Sequence, residues 1–324
     1  MGELRRGALL LALTGVLWGS IGLVARLLQD RGQPAVTITF WRFACAGVLL
    51  APLLGRTGLR ALARHARRPT RIIAVAVGFL AAQVSYFYAV RDVGVAIATL
   101  IALGLAPVIL TVTEGVAART RPTARTLVSL TAALVGLVLV SAFGAPSPQA
   151  APRPLMGIVE AVGCGVAYAA TTSWSASLSR QLGPSTITFA TSAVGAVILL
   201  PVVAAVGWHV PRTVPTVAGV LWLAVVATVI AYGLFYAGLR STPGSVAMIL
   251  TLLEPVTAVV LAAVLLGEPL TVASVLGGAL LLGAVLLLYL APGKPAEAPR
   301  VSPLTVPGFT PSSNSPGRCR RPRR

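Results

Sequence analysis

The chain has 324 residues, of which 56% are hydrophobic and 10% charged, and a mean hydropathy of +0.88. Soluble domains carry about 25% charged residues, so a chain this long and this apolar cannot cover a water-facing surface and needs lipid as its solvent. The net charge of +18 does not point to nucleic acid, because the basic residues sit in short loops and in the tail, never as a stripe interleaved with aromatics.

A membrane helix needs about 20 mainly apolar residues. Ten such runs are predicted: 8–28, 34–54, 71–91, 94–115, 125–143, 155–177, 184–206, 216–237, 244–265 and 271–291, numbered here as spans 1 to 10. The first follows MGELRR and reaches Leu28. That is longer than the roughly 7–15 apolar residues of a signal peptide, so it reads as an uncleaved helix. It carries Trp18, and Gly15 and Gly19 at a spacing that lets helices approach closely. Span 2 carries Arg42, about 12 Å in from Pro34 at the rise of an α-helix; it is expected to snorkel outward or to pair with Glu160 of span 6. The arginine-rich stretch 55–70 reads as a loop.

Span 3 holds Gln83, a polar group expected to hydrogen-bond inside the bundle, and ends in Phe87-Tyr88-Ala89. Span 4 holds Gly104, Pro107 and, close enough to its end to snorkel, Glu114. A Pro/Ala-rich linker, 144–154, separates span 5 from span 6, which carries Tyr168 and Trp174. Span 8 ends in Phe235-Tyr236-Ala237. Span 9 holds Thr251, Glu254 and Pro255, and Glu268 beyond it reads as a turn or capping residue. The Pro/Ser/Arg-rich tail 292–324 is expected to be disordered, its charges available to anionic lipid.

Several chemistries find no support. Cys45, Cys164 and Cys319 form no CxxC, and His65 and His209 both lie in loops. There is no HExxH, no GxSxG and no phosphate loop. Neither a metal site nor a disulfide framework nor a cofactor is expected. The expected partners are a small-molecule solute and the lipid bilayer.

Lys and Arg orient the spans. Of the 26, 20 fall on one side when the loops are assigned alternately, four (Arg31, Arg91, Arg153, Arg212) on the other, and Arg26 and Arg42 within spans. A wrong span count would scramble that asymmetry. It predicts that both termini are cytoplasmic; the Ala/Arg-rich, Lys-poor composition points to a bacterium, and so to its plasma (inner) membrane.

The two halves resemble each other. Phe87-Tyr88-Ala89 and Pro107-Val108 recur 148 residues later as Phe235-Tyr236-Ala237 and Pro255-Val256. Ile38-Thr39-Phe40 and Pro52 recur 149 residues later as Ile187-Thr188-Phe189 and Pro201. Five spans, an odd number, put the second copy in the membrane upside down. Inverted repeats of this kind are a transporter architecture. The fold class is therefore an all-α polytopic membrane protein of ten transmembrane helices in two inverted five-helix repeats, 8–143 and 155–291. Pro107 and Pro255 at matching positions each free the carbonyl four residues earlier, Leu103 and Thr251. In lipid a freed carbonyl must face protein or a water-filled cavity, so the two prolines are expected to mark matching breaks beside a site.

Trp18-Gly19, Trp41-Arg42-Phe43, the aromatic-Ala ends of spans 3 and 8, and Leu253-Glu254-Pro255-Val256 with Gly267-Glu268-Pro269-Leu270 resemble the EamA-domain branch of the drug/metabolite transporter superfamily. The first repeat departs from that pattern, with Ala106 in place of the glutamate and Arg121-Pro122 in place of Glu268-Pro269. The resemblance implies a secondary carrier, often an exporter of amino acids or other small metabolites, with a cavity lined mainly by spans 1, 3, 4, 6, 8 and 9.

Glu254 is the leading candidate. A charge at mid-span costs about 2.5–3.5 kcal/mol on insertion scales. It could bind a cationic or amine-bearing solute or exchange a proton; equally it could tie span 9 to a neighbour. Tyr88 and Tyr236, at opposite faces, read as aromatic gates or as interfacial belt residues. Trp18, Tyr168 and Trp174 could supply stacking surfaces or ordinary packing. A polytopic enzyme acting on lipid-linked substrate would need an interfacial cluster of acids or histidines, which eight scattered acids and two loop histidines do not supply. A non-transporting sensor or scaffold is the third reading, and no attached signalling domain in the sequence supports it.

Overall fold

In the computed structural model the described residues are 2–66, 70–143, 153–267 and 269–290. Expectations for Glu268, for all but the end of the 144–154 linker and for the 292–324 tail lie outside them. Ten helices are long and apolar enough to cross a membrane, and no strand occurs among the described residues. The spans are Gly2–Gln29, Ala35–Leu50, Thr70–Val93, Val95–Ala118, Ala124–Phe143, Pro154–Leu182, Pro184–Val206, Val214–Gly238, Gly244–Leu266 and Val272–Leu290.

One expected loop is largely helical. After a 3-10 turn, Ala51–Leu54, the chain passes through Gly55 (φ 58°) into a further helix, Gly55–Ala66. Its apolar side, Ala61 and Leu62, packs into the core beneath spans 6 and 7. Arg56, Arg60 and Arg64, four residues apart, lie exposed on the other side. Such a two-faced pattern is the kind that suits a membrane surface. Charge density hid it, because a search for apolar runs passes over a helix in which three of twelve residues are arginine.

The packing has an internal exchange rule. Span 3 packs on span 6, and span 8 on span 1; span 4 packs on span 6, and span 9 on span 1. Spans 2 and 7 pair with each other, as do spans 5 and 10. Replacing each span in these principal pairings by its counterpart in the other half returns the same pairings, as an inverted duplication requires. At the span 5–span 10 crossing the backbones touch: a Cβ on Gly136 would stand 2.7 Å from the Gly277 carbonyl, and one on Gly277 2.6 Å from the Gly136 carbonyl. Leu137, Val140, Leu281 and Ala284 pack around that contact.

Two second-half spans depart from plain α-helix. Span 9 turns at Leu252 (φ −66°, ψ 5°), dividing into Gly244–Thr251 and Leu253–Leu266. Span 8 contains a π-helical segment, Val225–Ile230. The matching break expected in span 4 is not there: Val95–Ala118 is one helix with Pro107 inside it. A proline removes one hydrogen bond, and a long helix held on four neighbours, spans 3, 5, 6 and 9, accommodates that loss. The break in span 9 is supported from outside, because span 1 lays Gly15 against the Thr251 carbonyl and Gly19 against the Glu254 carbonyl.

Candidate transport site

Counterpart spans 2 and 7, and 3 and 8, line a narrow cleft of about 10 Å3, room for roughly one water molecule. Phe43, Phe79, Thr191, Thr228, Tyr232 and Tyr236 supply most of its side-chain lining. The resemblance implied spans 1, 3, 4, 6, 8 and 9; the cleft draws instead on spans 2 and 7, beside 3 and 8.

Arg42 stands behind the cleft wall and is 4% exposed. It neither snorkels nor meets Glu160. Its Nε donates to the Thr228 hydroxyl at 2.8 Å, and its guanidinium lies 5.2 Å from the Phe43 ring centre and 6.0 Å from that of Tyr232. Thr228 can accept because of the π segment. There its own hydroxyl donates to the Leu223 carbonyl five residues back, at 2.8 Å. Single π turns recur at functional sites. Glu160 instead lies within electrostatic range of Arg91. Arg91 grips Asp92 through two bonds of 2.6 and 3.0 Å and covers the Tyr88 ring at 4.8 Å.

Glu254 opens the second half of span 9, in the first turn after the break. The residue is partly buried. Arg42, Tyr86, Cys164, Tyr168 and Tyr232 all lie within its electrostatic reach. Spans 2, 3, 6, 8 and 9 thus converge on one carboxyl and one guanidinium. No ion pair or hydrogen bond joins these two directly among the described residues.

The other sequence candidates divide. Trp18 is buried against Tyr232 and Phe235 at ring distances of 5.1 and 5.2 Å. Tyr168 meets Phe79 at 6.1 Å, Thr251 is buried with its hydroxyl on the Met248 carbonyl, and Gln83 is partly buried. Trp174 is half-exposed on the outside of span 6. Glu114 does not snorkel: it accepts from the backbone N–H and hydroxyl of Ser245, capping the N-terminus of span 9, where a negative charge is favoured.

Tyr88 and Tyr236 are not equivalent. Phe87 and Tyr88 are 44% and 47% exposed, whereas Phe235 and Tyr236 are 5% and 3% exposed. The π segment accounts for the difference. It takes up one residue more than an α turn, which rotates everything after it by roughly 100°. The same Phe-Tyr-Ala therefore faces out in span 3 and in towards the cleft in span 8. Tyr232 and Phe79, which touch each other at 5.2 Å, escaped the sequence reading. Tyr232 lies one turn before Tyr236, and that spacing was the available signal.

The EamA-like transporter family model matches this chain twice, over residues 5–142 and 155–290. The chain belongs to that family. Among EamA-like relatives, an uncharacterized inner membrane transporter, YicL, of Salmonella typhimurium is 28% identical over 304 residues, covering 92% of this chain and all of its own. An uncharacterized transporter of Bacillus subtilis, YwfM, is 30% identical over 306 residues, covering 91% and 98%. A solved crystal structure shares the fold, with a TM-score of 0.74 at 19% identity over 87% of this chain and 95% of the other. This EamA-like chain is a multi-pass membrane transporter.

Proposed function

We propose that the chain is a secondary carrier for small neutral, zwitterionic or cationic metabolites, amino acids among them. It works by alternating access between its repeats, 8–143 and 155–291. The exchange-symmetric packing carries this reading. Two halves of one fold in opposite senses can trade conformations at little energetic cost, opening a site between them to each face in turn. The cleft and the charged cluster lie among spans of both halves.

The solute class follows from sparse charge. No lysine lies in any span, whereas phosphorylated or polyanionic solutes want several cationic partners. The 20-to-4 distribution of basic residues supports cytoplasmic termini, and the Salmonella relative's name supports an inner-membrane location. Export rests on the family resemblance.

The test is solute counterflow by the full chain in proteoliposomes, with Glu254→Gln beside it. We expect exchange of unmodified solute by the wild type, and a slower variant with an altered pH profile. An unchanged rate and pH profile would remove Glu254 from coupling. Failure of the wild type to exchange any small solute would sink the carrier reading.

A further inference from the structure

We infer that the helix Gly55–Ala66 is a docking surface for anionic phospholipid, whose headgroups its arginine stripe gathers from the cytoplasmic leaflet. The surface stands apart from the carrier reading; the choice of leaflet rests on the proposed orientation.

The helix is held at one end of the bundle, because it joins the end of span 2 to the start of span 3. Ala61 and Leu62 share a buried cluster with Leu178, Leu182 and Ile187, which flank the turn between spans 6 and 7. Gly58 permits the close approach: a Cβ there would stand 3.1 Å from the Thr186 hydroxyl. A helix of the first repeat is thus seated on the second, so a ligand bound to it bears on the joint between the repeats.

Its outer face is unoccupied by the protein itself. Arg56, Arg60 and Arg64 are exposed, and no carboxylate of a described residue pairs with any of them. At 1.5 Å and 100° per residue they form one stripe, with neighbours about 6 Å and ends about 12 Å apart along the axis. One small anion cannot serve all three. A row of phosphodiester groups can, each accepting two N–H bonds from a guanidinium fork. Leu59, 58% exposed, lies on the flank of the stripe, and Leu53 in the preceding turn is exposed as well. Apolar side chains bordering a basic stripe suit the boundary between headgroups and acyl chains. A free anion in water gives those leucines nothing to bury against.

The duplication supplies an independent comparison. At the offset of 149 that relates Pro52 to Pro201, Arg56, Arg60 and Arg64 correspond to Ala205, His209 and Thr213. Residues 207–213 are not helical. The second half crosses the membrane five times without such a helix, so crossing does not require it. The half that has it puts it on the face to which the loop assignment gives 20 of the 26 basic residues, and the cytoplasmic leaflet is the anionic one.

The experiment measures the thermal midpoint of the full chain in detergent with added phosphatidylglycerol, phosphatidylcholine or inorganic phosphate. Two triple variants accompany the wild type. One carries Arg56→Gln, Arg60→Gln and Arg64→Gln; the other carries Arg119→Gln, Arg121→Gln and Arg125→Gln, which removes the same charge from an exposed loop assigned to the same face. A ligand that binds only the folded state raises its midpoint. We expect phosphatidylglycerol to raise the wild-type midpoint by several degrees over phosphatidylcholine, and high salt to shrink that gain. The loop variant should keep the gain and the stripe variant should lose at least half of it. If the stripe variant fails to fold, Arg60→Gln should lose part of the gain and Arg60→Lys less. Equal effects of the two lipids on the wild type, an equal gain from phosphate, or an undiminished gain in the stripe variant or in Arg60→Gln would each overturn the inference. So would an equal loss in the loop variant. No solute enters this test, so its failure would leave the carrier reading standing.

Discussion

Thr228 joins two features that otherwise look separate. Its hydroxyl bridges the Leu223 carbonyl and the Arg42 Nε, so one side chain both closes a π turn and holds the buried cation. Replacing it by valine keeps the shape and removes both bonds. A buried polar group left unsatisfied costs about 1–3 kcal/mol. Thr228→Val should therefore lower the thermal midpoint of the detergent-purified protein and weaken solute exchange together. A variant with wild-type exchange and midpoint would show that Arg42 needs no such anchor. The sequence made Glu254 visible because a carboxyl in an apolar run stands out. Arg42 was visible but misassigned, since its partner belongs to a segment whose π geometry leaves no mark in residue type. Tyr232 was missed because tyrosine in a membrane helix is unremarkable until its face is known.

At the level of elements, span 1 acts as the splint for the broken span 9. A Cβ at Gly19 would stand 2.5 Å from Thr257 Cβ and 2.6 Å from the Glu254 carbonyl, whereas one at Gly22 would meet nothing within 4 Å. Overpacking of a close contact costs about 1–3 kcal/mol. Gly19→Ala should accordingly depress the thermal midpoint and solute exchange, while Gly22→Ala behaves as wild type in both. Equal behaviour of the two would mean that the splint is dispensable. All ten spans were legible from apolar run length alone, because lipid imposes that length on every crossing helix. The break at Leu252 followed from Pro255 and the chemistry of its missing N–H. The continuity of span 4 did not follow, since whether a proline breaks a helix depends on the neighbours holding it. The Gly55–Ala66 helix stayed hidden because its stability comes from two faces rather than one apolar run.

For the whole molecule, orientation is the proposal most directly open to measurement. In a chain with Cys45, Cys164 and Cys319 replaced by alanine, single cysteines at Arg31 and Arg212 should react with a membrane-impermeant maleimide from outside intact cells. One at Arg60 should react only after the cells are opened. The reverse pattern would invert the topology. The duplicated architecture could be read from two near-constant offsets, 148 and 149, and the packing exchange rule is its three-dimensional counterpart. That exchange does not extend to charge. At those offsets Arg42 corresponds to Thr191 and Glu254 to Ala106. Two copies of the first half would bring together two guanidinium groups and no carboxyl; two copies of the second would bring two carboxyls and no guanidinium. A dipolar centre exists only when one copy of each is present, in opposite senses, in a fixed ratio of one to one. Carrying both halves on a single chain guarantees that stoichiometry at every act of translation.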